Sequence, residues 1–481
     1  MNKTTWILLA AITWIVMYFC SYYTHSDWRV LAFDQDIFYV IGRNWAEGNL
    51  PYITAWDSKG PIIFFFNMLG YLITKSEQGV FLLQYINMVI TVCCCYFMSN
   101  KSCGKKEAWI YTCCFIASYM IINSGGNQVG DCTLPLSALT IFLTYRWSRN
   151  VQDGIISHPW KYAICYGLYF GACLLSRLTN AMVLCSSILV IVCVLSYHKQ
   201  WNNLLKNALA FIIGSGIIIL PFAIYFGYHH ALYDMWYASV VYNFEYALHS
   251  HPNAITDTHF PLLYFTFYNI SIIAIIIFSI TALICKDRDK VACIWLPIAI
   301  ITIGWIFKSY ANANYTISYI SLLMIALVEL SILYHKGKRR IQLYAIYTIC
   351  TVSLVGMTNY IRIFYYTSAT ITGMQKDADH QLQMIRQIPK NDSFILYNGL
   401  PYIYATSNIR PYYPYWICQD WAIENGISLR QKVRECYKKG NVKWIIVFEY
   451  EHSNIKDILL ERYHILKTDK SSKLTLFKLK E

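Results

Sequence analysis

Apolar runs recur eleven times along this 481-residue chain, near residues 6–23, 78–98, 109–122, 134–145, 162–176, 180–197, 207–226, 261–284, 291–307, 316–334 and 341–357. A run of about 20 apolar residues covers the hydrocarbon core of a bilayer as a helix, and a helix satisfies its own backbone hydrogen bonds there. Only 14% of the residues are charged, against about 25% in a soluble domain. A soluble globular fold is excluded, and the pattern predicts an α-helical polytopic membrane protein with about eleven transmembrane helices. The stretch 61–74 holds Asn67 and follows Gly60-Pro61, so it reads as an interfacial helix.

Basic residues orient the spans, because short cytoplasmic loops collect Lys and Arg. With the N-terminus inside, the inner loops hold sixteen, including Lys101, Lys105, Lys106, Arg146 and Arg149, while the outer segments before residue 358 hold Arg29, Arg43, Lys59, Lys75, Arg177 and Lys308. Acidic residues invert the bias, with Asp34, Asp36, Asp57, Asp131 and Asp234 outside. The net charge of +13 is then topology plus a basic tail, and not a nucleic-acid signature. Most of the 17 cysteines lie inside apolar runs and behave as small hydrophobes. Cys418 and Cys436 lie in the tail, where an oxidising compartment would let them pair. The first run lacks a small-residue cleavage site and reads as a retained helix.

Two divisions follow: a transmembrane body over 1–357, with 24–77 a long outer loop carrying interfacial helices, and an extracytoplasmic soluble α/β domain over 358–481. In the loop, Phe38, Ile41, Trp45 and Ala46 face away from Arg43, Asn44 and Glu47, an amphipathic helix ended by Gly48 and Pro51. The tail alternates strand-like runs at 393–397 and 444–448 with helical stretches near 376–388 and 426–438. Its segment 399–416 is crowded with tyrosine and proline, which suits sugar stacking or an aromatic interface.

Chemistry concentrates in residues 33–67. Asp34 and Asp36 open the amphipathic helix and Lys59-Gly60-Pro61 opens the next. A carboxylate and a cation at a membrane surface supply a base for an acceptor hydroxyl and a charge for a leaving phosphate. The same residues also read as an N-cap aspartate and a surface lysine.

The order Asp34, Phe38, Ile41-Gly42-Arg43, Gly48-x-x-Pro51-Tyr52, Trp56-Asp57-x-Lys59-Gly60-Pro61 resembles the first outer loop of GT-C membrane glycosyltransferases. Within them it is similar to the bacterial dolichyl-phosphate-mannose protein mannosyltransferase and aminoarabinose-transferase type. The resemblance implies an inverting transferase of the bacterial inner membrane, with its N-terminus cytoplasmic. It would move a sugar from a polyprenyl-phosphate donor to a glycan, lipid or protein acceptor on the outer side.

The family's catalytic aspartate falls on Asp34, with Asp36 the alternative, and its phosphate-contacting lysine falls on Lys59. Ser58 stands where the family often has Glu or His, with Asp57 adjacent. Gly125-Gly126-Asn127-Gln128-Val129-Gly130-Asp131, then Leu134-Pro135, is similar to a Gly-Gly-Asn-x-x-Glu-Glu motif; Asp131 matches the second acid and Gly130 replaces the first. Asn314-Tyr315 stands where the family often has His-Tyr.

Arg177, at the outer end of a span, points to Asp131 or a substrate phosphate as partner, or snorkels to the interface. Trp236, Tyr237 and Tyr310 are candidates for the acceptor or carrier cleft. His229, His230, His249 and His251 lack the acidic partners of a metal site, and a divalent cation is compatible with the chemistry without being required. Glu329 sits inside a span without an evident partner. The readings from another class are a transporter or flippase of lipid-linked sugars and a noncatalytic glycan-assembly partner; scarce acids within the spans and the absence of a repeated half weigh against transport.

Overall fold

The computed structural model describes residues 3–249, 261–285, 289–308, 313–337, 340–366, 368–390, 392–407, 409–417, 420–424 and 426–480. Among them, five helices are long and apolar enough to cross a membrane: Lys3–Cys20, Gln78–Ser102, Leu178–Tyr197, Trp201–Tyr228 and Arg340–Thr358. Further helices cover the remaining apolar runs, among them Lys105–Ile122, Val129–Gln152, Trp160–Leu174, Ile270–Cys285 and Leu322–Gly337. The apolar character persists on their surfaces. Leu205, Ile212, Ile213, Ile217 and Ile224 of the Trp201–Tyr228 helix are exposed, an arrangement that acyl chains match and water penalises.

Two compact units divide the described residues. The first draws on Met1–Ser21, Leu82–Ile224 and Pro252–Tyr365 and is entirely helical. Its centre is the Leu322–Gly337 helix, where Leu322 through Leu330 are all buried, Glu329 among them. Glu329 accepts from Tyr145 at 2.5 Å and pairs with Arg149 at 3.3 Å. The partner missing from the sequence reading is therefore an arginine 180 residues away.

The second unit draws on Tyr22–Phe81, Tyr225–His251 and Tyr366–Glu481. It holds a four-stranded sheet, with β1 at Phe394–Tyr397, β2 at Trp444–Phe448, β3 at Tyr463–Asp469 and β4 at Leu474–Leu479, in the order β1-β2-β4-β3. β1 and β2 are parallel, with Ile395 opposite Ile445, and the other pairs are antiparallel. β2 reads Trp-Ile-Ile-Val-Phe without alternation, as a strand covered on both faces should. Leu429, Val433 and Tyr437 of the Ile427–Lys439 helix pack with Ile395, Ile445 and Val447 in one core.

The amphipathic helix of the first loop runs Phe33–Ala46 and the next runs Pro61–Thr74. They cross so closely that a Cβ on Gly42 would lie 2.6 Å from the Asn67 Cβ, which accounts for the glycine in Ile41-Gly42-Arg43. The aromatic segment after residue 400 is tied to this helix. Arg43 donates to the carbonyls of Tyr404 at 2.8 Å and Ile409 at 2.9 Å, and the Trp56 N–H donates to Pro414 O at 2.7 Å.

Candidate functional site

The two aspartates that open the Phe33–Ala46 helix have different surroundings. Asp34 is exposed, whereas Asp36 is fully buried, in contact with Arg29. Arg29 lies over the Tyr23 ring, 4.6 Å from its centroid, and reaches Glu77 at 3.8 Å. Burial pushes the Asp36 carboxyl up to about 7, with the Arg29 charge opposing the shift. Asp36 is thus committed to an internal ion pair, and Asp34 is the member of the pair that solvent or a substrate can reach.

Lys59 is positioned mainly through its backbone. The Asp57 carboxylate accepts from the Lys59 N–H at 3.0 Å, and the Lys59 carbonyl accepts from the Tyr52 hydroxyl at 2.8 Å. Asn243 donates to the preceding carbonyl of Ser58 at 2.7 Å. Gly60 caps the Pro61–Thr74 helix and Pro61 starts it, so the lysine precedes a helix N-terminus, the positive end of the dipole. Its ammonium donates to Ser58 Oγ at 3.0 Å, which gives Ser58 a role the family's larger residues would not fill in the same way. The Asp57 carboxyl is held above its ordinary range by desolvation, with Lys59 lowering it and the Asp34 charge raising it. One half-buried carboxylate therefore feels both candidate reaction groups.

In the first unit, a network of polar side chains surrounds Asp131. It accepts from Tyr119 at 2.8 Å, from Gln84 at 3.4 Å and from the Gln128 N–H at 3.0 Å, the last closing a capping box on the Val129–Gln152 helix. Gln128 in turn accepts from Asn314 at 2.6 Å, and the Asn314 carbonyl accepts from Arg177 at 3.4 Å. Arg177 also bonds Asn180 at 3.1 Å and lies over the Tyr315 ring, 3.9 Å from its centroid. Asn314-Tyr315, which departs from the family's His-Tyr, is thus the surface on which Arg177 rests. Gly130 meets Ile317: an added Cβ would lie 2.9 Å from the Ile317 Cβ and Cγ2, which explains why the first acid of the motif is missing. Ser124, Gly125, Gly126 and Asn127 all have positive φ, a strained approach to this network.

Tyr237 is buried and opens a single π-helical turn, Tyr237–Val241, while Trp236 is exposed. Tyr237 lines a cavity of about 390 Å3 together with Tyr52, Trp56, Tyr415 and Lys432. Tyr310, His251 and Cys418 lie outside the described residues, and with Cys418 the pairing to Cys436. Among the described residues no three His, Cys, Asp or Glu side chains are grouped to hold a metal ion. The sequence reading took Tyr52 only as part of the first-loop motif and gave no separate role to Gln84, Tyr119, Asn180 or Asn243, polar residues that carry no local signal.

Residues 58–228 match the family model of dolichyl-phosphate-mannose-protein mannosyltransferase. No curated protein matches the sequence. The whole chain resembles the crystal structure of ArnT from Cupriavidus metallidurans bound to undecaprenyl phosphate, with a TM-score of 0.61 and 13% identity over 99% of this chain and 98% of that one. The apo state of the same protein gives a TM-score of 0.58 with 13% identity over 98% of each chain. The archaeal oligosaccharyltransferase AglB from Archaeoglobus fulgidus, in complex with an inhibitory peptide and a dolichol-phosphate, gives 0.50 with 12% identity over 95% of this chain and 71% of that one. The resemblance to GT-C glycosyltransferases read from the first-loop motifs is borne out, and the fold is theirs.

Proposed function

We propose, for a chain with the GT-C fold, that it transfers a sugar from a polyprenyl-phosphate carrier to an acceptor hydroxyl at the outer face of a cytoplasmic membrane, its N-terminus inside. The likeness to ArnT, solved with undecaprenyl phosphate, supports the carrier class. The observation that carries the reading is that Asp57, whose carboxylate accepts from the Lys59 N–H at 3.0 Å, lies in the same compact unit as the exposed Asp34. An exposed carboxylate and a lysine just before a helix N-terminus are the two groups the reaction asks for. Asp34 takes the proton of the acceptor hydroxyl as its oxygen bonds to the anomeric carbon. The bond from that carbon to the phosphate oxygen breaks with its electron pair on the phosphate, and Lys59 stabilises the charge. A single displacement of this kind inverts the anomeric centre.

Arg177 is a second candidate for the carrier phosphate, as a cation resting on the Tyr315 ring at the end of a helix. Purified protein with a synthetic polyprenyl-phosphate sugar tests the reading. Release of polyprenyl phosphate with glycosylation of an envelope glycan acceptor is expected; translocation of intact carrier in proteoliposomes without transfer would replace it with the flippase reading.

A further inference from the structure

We propose that the cavity of about 390 Å3 in the second unit is a binding site for a negatively charged saccharide, a phosphorylated or carboxylated sugar. Its volume falls in the range of small-molecule clefts, about 300–1,000 Å3. The walls are aromatic, as sugar faces require: Tyr52, Trp56, Tyr237 and Tyr415 line it, with Trp56 and Tyr415 ring centroids 6.1 Å apart.

Of the basic residues on the Ile427–Lys439 helix, Lys432 and Lys439 line the cavity, beside the acids Asp234 and Glu435. Arg434 is bound to Asp457 and Lys439 to Glu435. Lys432 has no ion-pair partner within 4.0 Å among the described residues; its ammonium sits 3.4 Å from the Tyr237 ring centroid and 4.9 Å from that of Tyr233. A cation braced on two rings and facing a cavity keeps its hydrogen-bond donors for an incoming anion. Asp234 and Glu435, also lining the cavity, are acceptors for sugar hydroxyls.

The cavity shares Tyr52 with the Lys59 turn, whose carbonyl that tyrosine holds. If the transferase reading holds, the site is where an anionic acceptor glycan rests, and in that respect the inference depends on that reading.

Saturation-transfer NMR on the full-length protein in detergent, without donor, tests it using glucose 6-phosphate, galacturonic acid, glucose and inorganic phosphate as probes. Saturable binding of the two anionic sugars is expected, at least about tenfold tighter than glucose or phosphate, the worth of one charge-assisted hydrogen bond. Lys432→Ala should weaken them about tenfold and Lys432→Arg should restore most of the affinity, while Lys456→Ala, on another helix of the same unit, should bind as the parent does. Equal binding of glucose would overturn the anionic requirement, and equal binding of phosphate would reduce the cavity to a simple anion site. Affinities unchanged in Lys432→Ala would place the sugars elsewhere. Because the assay involves no transfer, its failure leaves the transferase reading intact; binding without turnover in the donor assay would refute that reading and leave the site.

Discussion

The Tyr52 hydroxyl donates to the Lys59 carbonyl at 2.8 Å, closing the stretch 52–59, whose other tether is the Asp57 carboxylate on the Lys59 N–H. In the proposed reaction Lys59 acts through its side chain, whereas its placement comes from its backbone. Tyr52→Phe keeps the ring against Phe64 and Phe226, with centroids 5.8 and 5.7 Å away, and removes only the hydroxyl. One neutral hydrogen bond is worth about 1 kcal/mol. The KM for a lipid-linked donor is expected to rise about fivefold with thermal stability little changed, and Lys59→Ala should raise it further. Donor kinetics unaffected in both variants would remove Lys59 from the phosphate.

Asp34 and Asp36 separate chemistry from folding. Asp34→Asn should abolish general-base assistance, lowering turnover by about 10²–10⁴, while the melting temperature stays near that of the parent. Asp36→Ala removes the fully buried acid that Arg29 contacts and leaves that buried guanidinium only the more distant Glu77 at 3.8 Å, which should cost about 3 kcal/mol. A thermal melt of the two variants beside a turnover assay checks the contrast; a fully active Asp34→Asn would shift the base elsewhere.

Acid should release one tether within the second unit. Glu47 accepts from Arg410 Nη2 at 2.8 Å and from Tyr71 at 3.0 Å, and these bonds hold its carboxyl below the usual range. A carboxyl whose folded pKa is depressed adds stability above its unfolded value, about 4.3, and loses it as pH falls through the folded one. With side chains 30% and 28% exposed, the pair is worth no more than about 1 kcal/mol. The melting temperature should fall less between pH 6 and pH 3 in Glu47→Gln than in the parent, and identical pH profiles would show that the pair contributes nothing.

In the first unit the buried Glu329 pairs with Arg149, whose side chain is 32% exposed. Glu329→Leu alone should destabilise by about 1–3 kcal/mol, because the Tyr145 hydroxyl loses its acceptor while Arg149 keeps access to solvent, and adding Arg149→Leu should recover part of that loss. Melting temperatures of the two single variants and the double variant measure the coupling; additive losses would mean the charges do not interact.

These pairs mark where sequence reasoning reaches its end. Asp34 and Lys59 stand out as candidates because the first loop concentrates its motif in some thirty consecutive residues, and because charge on an apolar chain is conspicuous. That Asp36 belongs to Arg29 was not legible, since both looked like surface charges until burial distinguished them. The Arg43 contacts to carbonyls at 404–409 and the link from Asp131 through Gln128 and Asn314 to Arg177 join residues far apart in sequence. Local periodicity carries no information about such pairs. Only β1 and β2 had clear strand patterns; β3 is exposed along most of its length and carries His464, Lys467 and Asp469, so its sequence looks like loop.

Gly130 offers a test of why this chain departs from the acidic motif it otherwise follows. The obstacle is steric, because Ile317 occupies the space a side chain would need, with 2.9 Å from an added Cβ to both its Cβ and its Cγ2. Overpacking by one methyl in a close-packed interior costs about 1–3 kcal/mol. Gly130→Ala should lower the melting temperature, and Gly130→Glu should lower it more. Ile317→Ala is destabilising by itself through the cavity it leaves. Combined with Gly130→Ala it should cost less than the sum of the two single changes, since the new methyl enters the vacated space. Strict additivity in that cycle would show that Ile317 is not what keeps residue 130 a glycine.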